Sequence, residues 1–115
     1  MRNLSFMYTK QQYIDGTKTQ TTRKSKNLSI GERFTGVEKC QGIPKGGHVV
    51  RLGPAIVEKI EPFFLSYFSY TPENCAAEGF PGMTSEEFVR NVIIKQCKIK
   101  LGQLVYRITF RKIPE

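Results

Sequence analysis

Three cysteines and one histidine are all that this 115-residue chain offers toward thiol or soft-metal chemistry. Cys40, Cys75 and Cys97 are odd in number, far apart and in no C-x-x-C arrangement, which argues against a disulfide framework and against a zinc site. They are expected to be reduced, small apolar residues, with no metal and no cofactor bound. His48, in Lys45-Gly46-Gly47-His48, is the only available partner for a nucleophilic cysteine, so a Cys/His enzyme is disfavoured. Gly42-Ile43-Pro44-Lys45-Gly46-Gly47 is rich in glycine, but the G-K-[ST] ending of a phosphate-binding loop is missing. No apolar run approaches the length of a membrane span, and Met1-Arg2-Asn3-Leu4-Ser5 lacks the apolar centre of a signal peptide. The expected setting is therefore the cytoplasm, with no membrane partner. No internal repeat or low-complexity segment is present.

What is present is ordinary globular material with an uneven charge. Apolar residues make up 39% and charged residues 24%, enough for one domain over 1–115 with its own core. The net charge is +8. Residues 1–51 carry ten Lys/Arg against three acids, 52–87 one against six, and 88–115 seven against one. If the two basic ends meet in one sheet, they make a positive face suited to nucleic acid; otherwise the excess lysine serves solubility.

Hydrophobic pattern and capping signals give a mixed α+β reading. Asn3 to Phe6 alternates as a short strand. Thr9 and Gln12 have the spacing of a capping box, so Lys10 to Asp15 reads as a short helix closed by Gly16, with Tyr13 and Ile14 inward. Arg33 to Glu38 is a strand weakened at Gly36. Gly42 to Gly47 is a loop or hairpin tip. Val49 to Leu52 and Ala55 to Ile60 are strands separated by a bulge or bend at Gly53-Pro54. Pro62 to Tyr70 holds five of the thirteen Phe and Tyr residues; it either extends a strand through the core or offers rings for base stacking. Thr71-Pro72 starts a helix that Gly79 ends. Thr84 and Glu87 form a second capping box, stapled by Met83 and Phe88, ahead of the stripe Val89, Val92, Ile93. Leu104 to Arg111 alternates, with Leu104, Tyr106, Ile108 and Phe110 inward and a basic outer face of Arg107 and Arg111.

One polar stretch stands apart: Gly16-Thr17-Lys18-Thr19-Gln20-Thr21-Thr22-Arg23. Glycine ends the preceding helix, and the cations and hydroxyls leave it together as a loop. Such a loop is either a solvated connector or an anion- or base-binding element. The run Arg23-Lys24-Ser25-Lys26 has no apolar periodicity and is expected to be exposed.

Three segments in order carry a family resemblance: Gly16-x-Lys18-x-x-x-x-Arg23 behind a short helix; Glu78-Gly79-Phe80-Pro81 leading into Met83-Thr84-x-x-Glu87-Phe88; and a closing strand Arg107-Ile108-Thr109-Phe110. Together they resemble the ASCH domain of the PUA-like superfamily, in the small stand-alone form of phages and bacteria. That resemblance implies a small curved β-barrel flanked by short helices, with a cleft beside the Gly16–Arg23 loop. It implies binding of RNA, a nucleotide or a modified nucleoside through Lys18, Thr19, Arg23 and Lys24. An alternative it also implies is an amidohydrolase acting on N(4)-acetylcytidine, with Lys18, Thr21 and Glu78 as catalytic residues. Thr22-Arg23-Lys24 stands where phage relatives often carry paired arginines. A third reading is an inhibitor of a host protein.

In chemical terms, a threonine nucleophile needs a base, and a lysine serves only if burial or a neighbouring cation lowers its pKa. Arg23 stays protonated and suits the role of a fixed donor.

Overall fold

The computed structural model describes residues 2–39 and 45–114. Five strands form one mixed sheet in the order β1-β3-β4-β5-β2: β1 Arg2–Ser5, β2 Gln20–Arg23, β3 Arg33–Val37, β4 Arg51–Phe64 and β5 Leu104–Lys112. The β1/β3 pair is parallel and the other three are antiparallel. The result is a small α+β domain whose curved sheet is a half-barrel with short flanking helices. β1 and β2 are the two edges of this sheet, so no main-chain ladder joins them. The two basic segments meet in this one sheet: β1 does not pair with β5, but β2, from the basic segment 1–51, does.

β4 supplies the curvature. Its pairing shifts register opposite Gly36/Val37 and again between Val57 and Lys59. An unpaired residue in a ladder bends the strand and increases its twist. The bend expected at Gly53-Pro54 is therefore a bulge within one continuous strand, not a break between two. Past the second shift the inward role passes from Ala55 and Val57 to Ile60, all packed in the cluster of Phe6, Tyr13, Phe34, Ile108 and Phe110.

The weakness at Gly36 has a packing cause. Gly36 pairs with Gly53, and the ring of Tyr13 from α1 (Lys10–Ile14) lies where a Gly36 side chain would be, 2.4 Å from an ideal Cβ. The Tyr13 hydroxyl donates to Gly53 O at 2.8 Å, and its ring stacks on Phe6 at 4.3 Å. Two facing glycines thus make the seat that docks α1 on the sheet.

Not every local signal is realised. Thr9 precedes α1 with a backbone that is not extended (φ −132, ψ 30), and its side chain makes no capping bond; its N–H goes to Phe6 O at 3.1 Å, and the Gln12 side-chain amide donates to Gly79 O at 3.2 Å. Ile14 is exposed rather than inward. Gln20 to Arg23, read as loop, is strand β2. The second helix, α2 (Pro72–Ala77), does start with a Thr71 cap, in a capping box closed by Asn74. The Thr84/Glu87 box caps α3 (Ser85–Phe88), which continues as a π-helical stretch over Val89–Ile94.

Both faces of β5 are used. Val105 is fully buried in a second cluster with Tyr70, Cys75, Phe88, Val89 and Ile93, while Leu104 is 41% exposed. Arg107 is covered by the rings of Phe63 and Tyr70 at 4.6 and 5.0 Å. At Arg107 the face expected to be basic and open is covered, whereas Arg111 on the same face is exposed and pairs with Glu58 at 3.2 Å. In the aromatic stretch the strand ends at Phe64, and Phe64 and Phe68 are largely exposed. Cys40 and residues 42–44 of the Gly42–Gly47 loop lie outside the described residues. No helix among the described residues is long and apolar enough to cross a membrane.

The Gly36 seat is testable. Gly36→Ala drives a methyl into a ring with no free space, and such overpacking costs about 1–3 kcal/mol. Urea unfolding should show a loss of that size, and a change within about 0.5 kcal/mol, as expected of a surface substitution, would contradict the packing.

Candidate active site

The open seam between β1 and β2 is the place to look for function. A cleft of about 600 Å³ lies there, walled by the segment from Asn3 to Thr9 on one side and by Lys18 and the residues from Thr21 to Ser25 on the other. Arg23 bridges the seam. Its Nη2 donates to Ser5 O at 2.7 Å, its Nε to Thr21 Oγ1 at 3.1 Å, and its guanidinium lies 5.1 Å from the centre of the Phe6 ring.

Lys18 sits deeper, only 4% exposed. Its place is set by two main-chain bonds, Lys18 N to Gln12 O at 3.0 Å and Thr19 N to Ala77 O at 2.8 Å. These tie the turn after α1 to the end of α2. Gly79 completes that junction: it has φ +107, and a Cβ there would lie 3.2 Å from Thr9 Cγ2. Glu78, just before it, is thereby laid over Lys18. The Lys18 ammonium donates to Glu78 O, an otherwise unpartnered carbonyl at the helix C-terminus, and lies 3.9 Å from Glu78 Oε1. Glu78 is itself 3% exposed.

Charge and burial oppose each other at Lys18. Desolvation is the largest influence and holds its pKa well below the ordinary lysine range, at about 8. The Glu78 carboxylate pulls it back up, and the Arg23 cation pushes it down. Burial wins, so an appreciable fraction of Lys18 is a neutral amine near neutral pH. Cys97 also lines the cleft, but burial raises its thiol pKa, leaving it a poor nucleophile at neutral pH. His48 is exposed and does not line the cleft.

Of the expected residues, Lys18, Thr21, Arg23, Lys24 and Glu78 all line the cleft. Thr19 does not: it is exposed, and its main chain bonds Ala77 O and Phe110 N. Thr21 is buried, and its oxygen accepts from Arg23 rather than meeting Glu78. The threonine bonded to Glu78 is its neighbour. Thr22 Oγ1 donates to Glu78 Oε2 at 2.8 Å and shares a 2.7 Å hydrogen bond with Tyr70 OH. Thr22, Lys18 and Glu78 therefore form one buried polar cluster, with Tyr70 behind it. Strand alternation on β2 was the signal for Thr22: adjacent residues point to opposite sides, so two threonines in a row have two different neighbourhoods. Nothing local in the sequence marks Tyr70. Among the described residues no group of three or more His, Cys, Asp or Glu is placed to hold a metal ion.

No family model and no curated protein matches the chain. A crystal structure of protein EF3133 from Enterococcus faecalis V583, of the family DUF984, is similar in fold. The TM-score is 0.54 at 12% identity, covering 92% of this chain and 70% of that one. At that identity the likeness is one of fold alone.

Proposed function

We propose that the seam cleft is the active site of an amidohydrolase that removes an acyl group from the exocyclic amine of a modified nucleoside such as N(4)-acetylcytidine. The observation that carries this reading is Lys18: a nearly buried lysine, poised at about 8, beside a buried glutamate in an open cleft. Perturbed titratable groups in a cleft are characteristic of catalytic sites. The cleft volume falls within the roughly 300–1,000 Å³ of small-molecule sites. The substrate class comes from the sequence resemblance to ASCH proteins.

The residues divide the chemistry as follows. Thr21 Oγ1 already accepts a hydrogen bond from Arg23, so its own hydrogen remains to be given to a base. The base for that proton is the neutral amine of Lys18, which lines the same cleft, and the freed oxygen attacks the acyl carbonyl carbon. The C–N bond breaks, and Lys18 returns the proton to the leaving amine. Water then hydrolyses the threonine ester and releases the acid. The Arg23 cation, at the mouth of the cleft, serves as the fixed donor for negative charge developing on the acyl carbonyl oxygen. Glu78 holds the Lys18 ammonium in position between the two transfers.

Nucleotide or RNA binding is the second reading, favoured by the rim. Lys24 is exposed and Lys39 half-buried where they line the cleft, and neither forms an ion pair with a described residue. Both are available to phosphates, and binding of this kind weakens as salt rises.

Acetate release from N(4)-acetylcytidine tests the first reading. Activity should rise with pH through about 8, because the neutral amine is the working form and exists above that pKa. Lys18→Met and Thr21→Val should each lower kcat/KM by about 100-fold or more. No turnover by wild type at high enzyme concentration would sink the reading for this substrate. For the second, titration of labelled single-stranded RNA at two salt concentrations should give an affinity that drops roughly in proportion to the salt increase or more steeply. Absent or salt-indifferent binding counts against it.

A further inference from the structure

Glu78 is held from behind by two hydroxyl groups that the proposed reaction does not itself use. Thr22 Oγ1 has one hydrogen, and it goes to Glu78 Oε2 at 2.8 Å. A hydroxyl that has spent its hydrogen can only accept further bonds. In the 2.7 Å contact between Thr22 and Tyr70, Tyr70 must therefore be the donor. The direction is fixed along the whole line: Tyr70 to Thr22 to Glu78. Tyr70 is only 5% exposed and is anchored on its own account, its ring packed at 4.7 Å on Phe88 and under the Arg107 guanidinium at 5.0 Å. Arg107 in turn donates to Ser69 O at 2.7 Å, which fixes the residue before Tyr70. Burial raises the Tyr70 phenol far above its ordinary pKa, so the donor keeps its proton across the working pH range.

We propose that Tyr70 and Thr22 are positioning residues of the seam cleft, a one-way chain of hydroxyl donors that orients Glu78 so that its other carboxylate oxygen faces the Lys18 amine. The inference deepens the hydrolase reading and rests on it for the chemistry, but the chain acts on Lys18 whether or not the substrate is the one named above. Donation into one oxygen stabilises the charged carboxylate and stops it from turning. Lys18 then meets the remaining oxygen at 3.9 Å and a carbonyl of the same residue. Cys75 and Cys97 lie in the electrostatic reach of Glu78 as neutral thiols, and Arg23 and Cys97 face Lys18.

The sign of the effect follows from these groups. Ionised Glu78 raises the Lys18 pKa, whereas burial and Arg23 lower it. If the donor chain is cut, the carboxylate loses its hold and its pull weakens, while the two lowering influences remain. Lys18 should then lose its proton at a lower pH. The experiment is an NMR titration of the Lys18 side chain in Thr22→Val, Tyr70→Phe and Thr22→Ser beside wild type. Thr22→Val should lower the Lys18 midpoint by about one pH unit, Tyr70→Phe should move it the same way by less, and Thr22→Ser, which keeps the hydroxyl, should stay at the wild-type value. Tyr70→Phe removes a single oxygen and carries the test alone if Thr22→Val does not fold. A midpoint unchanged in the folded variants overturns the inference. The titration reads Lys18 and not turnover, so an inactive wild type sinks the hydrolase reading without deciding this one.

Discussion

The constraint on which the rest of the structure depends is the burial of the Lys18 amine beside Glu78. An ammonium group removed from water is costly, and a single carboxylate at 3.9 Å offsets only part of that cost. The fold surrounds the pair with further polar partners, a helix-end carbonyl for Lys18 and, for Glu78, a threonine backed by a tyrosine, while the Arg23 cation across the mouth opposes the ammonium. Together these residues come from four elements. α1 sets Lys18, α2 sets Glu78, β2 carries Thr22 and Arg23, and the segment after β4 brings Tyr70. The site is thus a junction of four elements and not the property of one loop.

The same junction explains why the sheet stays open. A closed barrel would pair β1 with β2 along their length and fill the seam with ladder hydrogen bonds. Here the edges remain apart, and the Arg23 side chain makes the connection to Ser5 O. Bulges on β4 supply the curvature that brings the edges to this separation, and the Gly36/Gly53 seat fixes α1 beside them. Packing that looks remote from the cleft therefore sets its width.

The elements that could be read from sequence were those with local causes. The Thr84/Glu87 box, the Thr71-Pro72 start and the bulge near Gly53 are written in neighbouring residues and hold in the structure. Where a long-range partner competes, the local reading fails. The Gln12 side chain reaches Gly79 O and the Thr9 N–H goes to Phe6 O, so the Thr9 box is not formed. The Gln20–Arg23 segment is polar enough to read as loop, yet β5 pairs with all of it and buries Thr21 and Thr22. Lys18 and Glu78 are sixty positions apart, and only the family resemblance suggested bringing them together. Their contact is plain in the structure, whereas the exchange of Thr21 for Thr22 as the partner of Glu78 turns on which side of a four-residue strand faces α2. Tyr70 was legible only as one aromatic among five.

The central claim is that Lys18 is an amine poised near neutrality by burial. The most direct measurement is a titration of the Lys18 side chain in the wild-type protein, followed by NMR through its Cε and Nζ resonances. The account predicts a midpoint near 8. A midpoint at about 10.4, the ordinary lysine value, would contradict it.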